Sequence, residues 1–177
     1  MGYYDGLGGI DTKASAYDLA AVTKTPAVLI VDTRGMSLSA LAEIKGFLTY
    51  KKESHIEGVI LNRMSPMLYP EVKSRVEEEL GIRVFGYVPK LTDLNLESRH
   101  LGLVLPGEIE ALKEKLNRLA AVLEETLDLD AFCALAEDTE ELTIQVPEIP
   151  VLEAPKKIRQ AEAADDAFCI TYQDNLK

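Results

Sequence analysis

Short apolar runs alternate with longer amphipathic stretches along most of the chain. Three runs, Ala27–Val31, Ile56–Leu61 and Ile82–Val88, have the length and β-branched content expected of buried strands. The first is apolar on both faces, which predicts a central strand. Apolar residues at helical spacing predict helices over Thr12–Lys24, Leu38–Lys52, Ser65–Leu80, Glu108–Leu127 and Asp130–Glu137. This alternation indicates an α/β fold, a mostly parallel sheet with flanking helices.

Three residues are predicted to mark helix ends. Ser37 precedes an amphipathic stretch and is a good N-cap residue, because its hydroxyl can accept a hydrogen bond from a free N–H group of the first turn. Pro66 fits the first turn of the third helix, where no intrahelical N–H bond is lost. Gly81 fits the left-handed position that follows the last turn of that helix.

Polar side chains follow the predicted strands at their carboxyl ends. They lie in Asp32–Gly35, in Asn62 and Arg63, and in Val88–Lys90. In an open parallel sheet these ends meet at one edge, where ligands bind. Carboxylate, amide and cationic groups together suit a nucleotide or phosphoryl-transfer site, because the charge of a phosphate must be met by a metal ion, Lys or Arg. Helix capping and turn formation are the alternative explanation for each residue.

The stretch Met1–Gly9, with four glycines around the carboxylate of Asp5, has two interpretations. It is either an unstructured start or an active-site loop. Glycines let a backbone approach a phosphate or a metal ion closely, and a carboxylate is a suitable ligand for Mg²⁺. On the second interpretation, Asp5 joins the polar groups at the strand ends.

Composition excludes several classes of function. A formal net charge of −11 over 177 residues argues against a general nucleic-acid binder. No apolar run approaches the ~20 residues of a membrane span and no signal peptide is visible, so a cytoplasmic protein is predicted. Cys133 and Cys169 are expected to be reduced thiols. Neither the P-loop motif nor G-x-G-x-x-G occurs, so the residues alone predict no phosphate cradle.

Six segments carry a resemblance to a known family. They are MGYYDGLGG, VLIVDTRGMSLSA, GVILNR, GYVPK, ESRHLGLV and DAFCITYQDNL, in that order. The chain closely resembles cobyrinate a,c-diamide synthases, glutamine-dependent amidotransferases of corrinoid biosynthesis. The resemblance implies a P-loop NTPase-like ATPase domain of the dethiobiotin synthetase type, followed by a class I glutaminase domain. It also implies that ATP and Mg²⁺ are used to phosphorylate acetate carboxylates of the corrin ring, and that ammonia from glutamine then displaces phosphate.

The resemblance also implies roles for individual residues. Asp5 matches the acidic position of the family's M-G-x-x-D-G motif, where it would hold metal or orient the reacting carboxylate. Asn62 matches an asparagine that recognises the nucleotide base, and Val88 and Pro89 would flank the adenine. Ser98, Arg99 and His100 match the SRHLGL segment, and their charge suggests that they bind the acidic tetrapyrrole substrate.

The resemblance divides the chain into three parts. Residues 1–136 match the later part of the synthetase domain, without its P-loop. Residues 137–157, acidic and Pro-containing, form a predicted linker, and residues 158–177 match the first strand of the glutaminase domain. The family's P-loop and its glutaminase nucleophile lie outside the matched part. An interior fragment is therefore expected, inactive on its own.

The substrate and the general type of function, catalytic or non-catalytic, both remain open. A related enzyme acts on nickel-sirohydrochlorin, and the residues do not separate it from the enzymes that act on cobyrinate or hydrogenobyrinate. The alternative class is a non-catalytic regulatory or dimerisation module with the same fold. A sheet without its P-loop strand would expose an apolar edge, which predicts either self-association into a homo-oligomer or a rearrangement that covers the edge.

Overall fold

A three-stranded parallel sheet with flanking helices forms the core of the described chain, and it confirms the predicted α/β class. The computed structural model describes residues 2–92, 94, 111–139, 141–142 and 161. Its elements, in chain order, are α1 (Ala16–Thr23), β1 (Ala27–Asp32), α2 (Leu38–Tyr50), β2 (Ile56–Asn62), α3 (Tyr69–Leu80), β3 (Arg83–Val88), α4 (Leu112–Thr126) and α5 (Leu129–Glu137).

The strand order is β1-β2-β3, and both pairs of strands are parallel. Asp32 pairs with Asn62, which in turn pairs with Val88, so the carboxyl ends of the strands are level with one another. The central position predicted for the first strand is wrong within the described chain, where β1 is an edge strand. Ile30 on β1 is 65% exposed and lines an open cavity together with residues of α5.

One face of the sheet packs against α2 and α3. Alternate strand residues point to this face and meet the apolar sides of the two helices. The resulting core comprises Val31, Val59, Leu61 and Val84 from the strands, Leu41 and Ile44 from α2, and Val72 and Val76 from α3, with Ile56, Met64 and Ile82 at the strand ends. Removal of these apolar side chains from water supplies the main driving force for the fold.

The other face of the sheet is covered in part by the junction of α4 and α5. The rings of Phe85 on β3 and Phe132 on α5 meet edge to face with 5.8 Å between their centroids. Gly86, at φ 142°, lets this junction come close, because a Cβ there would collide with the carbonyl oxygen of Thr126. Asp128 N–H donates a 2.7 Å hydrogen bond to the carbonyl oxygen of Phe85 and ties the junction to β3.

Of the three predicted helix ends, one is wrong, one is in the predicted position without a side-chain hydrogen bond, and one is confirmed. The third helix begins at Tyr69, not at Ser65, and the proline in its first turn is Pro70 rather than Pro66. Pro70 has no N–H to donate to the carbonyl oxygen of Pro66, which opposes extension of the helix toward Ser65. Ser37 occupies the N-cap position of α2, but its side chain makes no capping hydrogen bond. The prediction for Gly81 is confirmed, since this residue ends α3 in the left-handed conformation.

The chain divides into two compact units, one from Met1 to Leu142 and one from Thr143 to Lys177. Of the second unit only residue 161 is described, so the predicted glutaminase strand at 158–177 and most of the linker at 137–157 lie outside the described residues. None of the described helices combines the length and apolar character that crossing a membrane requires.

Candidate functional site

Hydrogen bonds join the carboxyl ends of the three strands. The side-chain hydroxyl and the backbone N–H of Thr33 each donate a 2.8 Å hydrogen bond to the carbonyl oxygen of Asn62. The N–H of Met64 donates to the carbonyl oxygen of Val88 at 3.1 Å. Thr33 and Met64 are almost completely buried. The chain therefore holds the segment around Asn62 from both sides.

Asn62 and Arg63 have an unusual local geometry. Arg63 lies in the left-handed region at φ 57°, and its N–H donates a 3.0 Å hydrogen bond to Oδ1 of Asn62. Its guanidinium pairs with the carboxylate of Asp32 at 2.8 Å. The Asn62 oxygen is thus engaged within the protein, whereas its amide group donates to no described residue. An amide held in this way can donate to an acceptor on a ligand.

A cavity of about 510 Å³ opens at these strand ends. Its walls are formed by Arg34, Asn62, Arg63, Val88, Pro89, Lys90, Leu91, Thr92, Leu94 and Leu119. The volume falls in the range typical of small-molecule sites. Among the described residues that line it, three are cationic and none is acidic, although the chain as a whole carries a net charge of −11. We call this cavity the rim pocket.

The rim pocket brings together Asn62, Val88 and Pro89, the three residues assigned to nucleotide binding by resemblance. All three are partly buried, with apolar groups beside a polar amide. Leu119 of α4 adds an apolar wall that sequence reasoning missed, because no local signal places that helix over the strand ends. A flat ring fits such a surface, in which apolar walls accompany a few fixed polar groups.

Asp5 does not join the rim pocket. It lines a second cavity of about 470 Å³, formed by the glycine-rich segment and α2, whose walls include Asp11, Glu43, Phe47 and Tyr50. One carboxylate oxygen of Asp5 accepts a 2.8 Å hydrogen bond from the N–H of Gly2. The described residues in the walls of this acidic cavity include no Lys or Arg. We call it the loop pocket.

Two tyrosines beside Asp5 hold the segment against the protein. The Tyr3 hydroxyl donates to the carbonyl oxygen of Ser54 at 2.7 Å, and the Tyr4 hydroxyl donates to that of Phe47 at 2.6 Å. Burial, with a smaller effect of the neighbouring tyrosines, raises the pKa of Tyr3 to about 12 and also raises the pKa of Tyr4. Both hydroxyls therefore remain protonated donors near neutral pH. Sequence reasoning missed these contacts.

Backbone hydrogen bonds order the glycine-rich segment. Gly6 N–H donates to the carbonyl oxygen of Asp11 at 2.8 Å, and Leu7 N–H donates to that of Lys13 at 2.9 Å. A side chain at Gly6 would collide with both carbonyl oxygens. The interpretation of this segment as an unstructured start is wrong for the described residues. Its glycines permit close backbone approach.

Two further site predictions have different outcomes. No group of three or more His, Cys, Asp or Glu side chains within the described ranges is arranged to hold a metal ion. The role of Asp5 as a metal ligand stays a prediction. The predicted substrate-binding residues Ser98, Arg99 and His100 lie outside the described residues.

Comparison with curated proteins finds similarity over the whole chain. A cobyrinate a,c-diamide synthase of Listeria monocytogenes serotype 4b is 39% identical over 177 residues, which are 99% of this chain and 39% of that protein. Those of Caldanaerobacter subterraneus subsp. tengcongensis and Saccharolobus solfataricus are each 37% identical, over 100% and 99% of this chain and 38% and 39% of their own lengths. No family model and no solved structure matches the chain.

Proposed function

The chain is homologous to cobyrinate a,c-diamide synthases along its whole length, and on this basis we propose that it forms part of an ATP- and glutamine-dependent ligase. It spans about 39% of the length of these relatives. The proposed reaction is amidation of the a and c acetate carboxylates of a corrinoid. The proposed fold of the complete synthetase domain is the P-loop, dethiobiotin synthetase-like fold.

The observation that carries the proposal is the composition of the rim pocket. Asn62, Val88 and Pro89 share this cavity with three cations, and no carboxylate lines it among the described residues. The free amide of Asn62 would donate to the adenine ring of ATP, and Val88 and Pro89 would lie against its flat faces. Cationic groups nearby favour a ligand that carries phosphate. These residues therefore fit an adenine nucleotide.

Asp5 is the proposed ligand for Mg²⁺ and the proposed catalytic carboxylate. Mg²⁺ in such enzymes is held by one or two carboxylates together with phosphate and water, which agrees with one exposed carboxylate whose second oxygen is available. Because Asp5 lines the loop pocket and not the rim pocket, the phosphates of a nucleotide whose base lies in the rim pocket would have to extend toward Asp5 for the ion to neutralise their charge. Asp5, held by its hydrogen bond from Gly2, would orient the reacting carboxylate or the ion beside it.

The proposed chemistry has two steps. A substrate carboxylate oxygen attacks the γ-phosphorus of ATP, forming a C–O–P linkage and releasing ADP. Ammonia, released from glutamine by a glutaminase domain of the complete enzyme, then attacks the acyl carbon and displaces phosphate to give the amide. Ser98, Arg99 and His100 are the proposed contacts to the acidic substrate, since Arg binds carboxylates through paired N–H donors.

A chimeric enzyme tests this proposal. The chain would replace the corresponding 177-residue part of the Listeria monocytogenes relative, and glutamine-dependent formation of cobyrinate diamide would be measured together with ADP release. The proposal predicts an active chimera that loses activity on Asp5→Asn. Glu53→Gln, at an exposed position outside both cavities, is the matched control.

Two results would contradict the proposal. One is a folded chimera that binds the corrinoid but forms no amide. The other is an active chimera in which Asp5→Asn and Glu53→Gln both leave the turnover number unchanged, which would exclude the role of Asp5. Circular dichroism of each variant separates a loss of folding from a loss of chemistry.

A further inference from the structure

We propose that Arg34 and Lys90 form an oxyanion-binding subsite at the edge of the rim pocket, beside Asn62. The inference rests on the proposed function only in placing a nucleotide base at Asn62. The subsite itself follows from charge and geometry. It would bind a phosphate group of the nucleotide or a carboxylate of the second substrate, since both present anionic oxygens to the same donors.

The charge distribution of the rim pocket is the first argument. Acidic residues outnumber basic ones by 30 to 19 in the whole chain, yet the described residues of the pocket walls include Arg34, Arg63 and Lys90 and no acidic residue. Cations gathered in a cleft with apolar walls raise the local concentration of anions. Such a site attracts an anionic ligand to a protein that otherwise repels it.

The partners of these cations are the second argument. The guanidinium of Arg63 is engaged by the carboxylate of Asp32 at 2.8 Å. Arg34 and Lys90 are exposed, and neither side chain makes an ion pair or hydrogen bond with another described residue. Their donors are therefore available to a ligand, whereas those of Arg63 are partly used within the protein.

The rigidity of the supporting backbone is the third argument. Arg34 follows Thr33, whose hydroxyl and N–H are bonded to Asn62, and its own N–H donates to the Asp32 carboxylate at 3.2 Å. Lys90 lies two residues after Val88, whose carbonyl oxygen accepts the N–H of Met64. Both cations thus extend from backbone that is tied to neighbouring strands, which lowers the entropy lost when a ligand binds.

Titration of the ¹⁵N-labelled chain, followed by NMR, tests the subsite. The probes are inorganic phosphate, ADP, adenosine and tricarballylate, a small polycarboxylate. Each is added to the wild-type chain and to the double variant Arg34→Gln/Lys90→Gln. The control variant Lys45→Gln/Lys52→Gln removes the same charge at exposed positions that line neither cavity.

The proposal predicts that the double variant binds oxyanion probes about tenfold more weakly, the effect of losing a charged hydrogen bond. Adenosine affinity should change less than about twofold, because its binding would depend on Asn62 rather than on charge. Loss confined to phosphate and ADP identifies the nucleotide as the source of the anion. Loss confined to tricarballylate identifies a carboxylate substrate.

Several results would overturn the subsite. These are unchanged binding of every oxyanion probe, an equal loss in the control variant, or no binding of any oxyanion to the wild-type chain. Failure of the nucleotide assignment can be distinguished from failure of the subsite. If no nucleotide base binds at Asn62, adenosine will not bind to the wild-type chain, while the titrations with inorganic phosphate and tricarballylate still test the subsite. The amide spectrum of each variant reports directly whether it is folded.

Discussion

Thr33 donates two hydrogen bonds to the carbonyl oxygen of Asn62, one from its hydroxyl and one from its backbone N–H, each 2.8 Å long. Thr33 is 2% exposed, so both bonds are shielded from water. They join the ends of β1 and β2 where the rim pocket opens. The position of the Asn62 amide thus depends on a buried side chain of the neighbouring strand.

The variant Thr33→Val is predicted to lower the free energy of unfolding by about 1 kcal/mol. The replacement keeps the shape of the side chain but removes the hydroxyl donor, so the carbonyl oxygen of Asn62 loses one of its two bonds. Urea denaturation measures the change. Thr49→Val, which removes an exposed hydroxyl bonded to a carbonyl within α2, should cost less. Equal losses would contradict the role of Thr33.

The variants Gly86→Ala and Gly46→Ala should have effects of opposite sign. At Gly86 the added Cβ meets backbone atoms of Thr126 and Leu127 at a positive φ of 142°, so a loss of more than about 2 kcal/mol is expected. At Gly46, inside α2, the Cβ meets nothing within 4 Å, and Ala should stabilise the helix by about 0.5–1 kcal/mol. Thermal denaturation compares them, and a tolerated Gly86→Ala would contradict the close packing.

Stability should fall between pH 10 and pH 12 through the titration of Tyr3. Burial raises the pKa of Tyr3 from 10.0 to about 12. In this window the folded chain keeps a proton that the unfolded chain has lost, so the free energy of unfolding decreases as pH rises. Below pH 10 the contribution is fully present. Near-ultraviolet absorbance of tyrosinate measures the raised pKa that causes this loss of stability. Tyr3→Phe should remove the titration that occurs at the highest pH. A chain whose tyrosines all titrate near pH 10 contradicts the prediction.

The variant Tyr4→Phe is predicted to lower the free energy of unfolding by about 1 kcal/mol, because it removes a hydrogen bond at the loop pocket. The Tyr4 hydroxyl bonds the carbonyl oxygen of Phe47, which is among the last four carbonyls of α2 and has no intrahelical partner. Tyr50→Phe, in the same aromatic cluster but with an exposed side chain, should change stability by less than about 0.5 kcal/mol. Urea denaturation measures the free energy of unfolding of both variants. Equal losses would contradict a specific contribution of the Tyr4 hydrogen bond.

The fold class and the rim were predictable because they depend on local patterns. Continuous apolar runs specify buried strands, and the ends of parallel strands necessarily meet at one edge. Asn62, Val88 and Pro89 could therefore be grouped before their contacts were known. The start of α3 was not predictable in this way, since Pro66 and Pro70 both suit the first turn of a helix and the structure uses Pro70.

The position of Asp5 was not predictable, because it depends on contacts distant in sequence. The Tyr3 hydroxyl bonds a carbonyl 51 residues away, and the Tyr4 hydroxyl bonds one 43 residues away. Neither contact leaves a periodic signal in the chain. For the same reason the exposure of Ile30 was missed, since an apolar run does not reveal what covers each face of the strand.

Nucleotide selectivity tests the central claim most directly. Dissociation constants for ATP and GTP would be measured by isothermal titration calorimetry for the wild-type chain, Asn62→Ala and the control Asn117→Ala, an exposed position on α4. A rim pocket that recognises adenine through Asn62 predicts tighter binding of ATP than of GTP, and an ATP affinity about tenfold weaker in Asn62→Ala alone. Equal affinities for ATP and GTP, unchanged by Asn62→Ala, would contradict it.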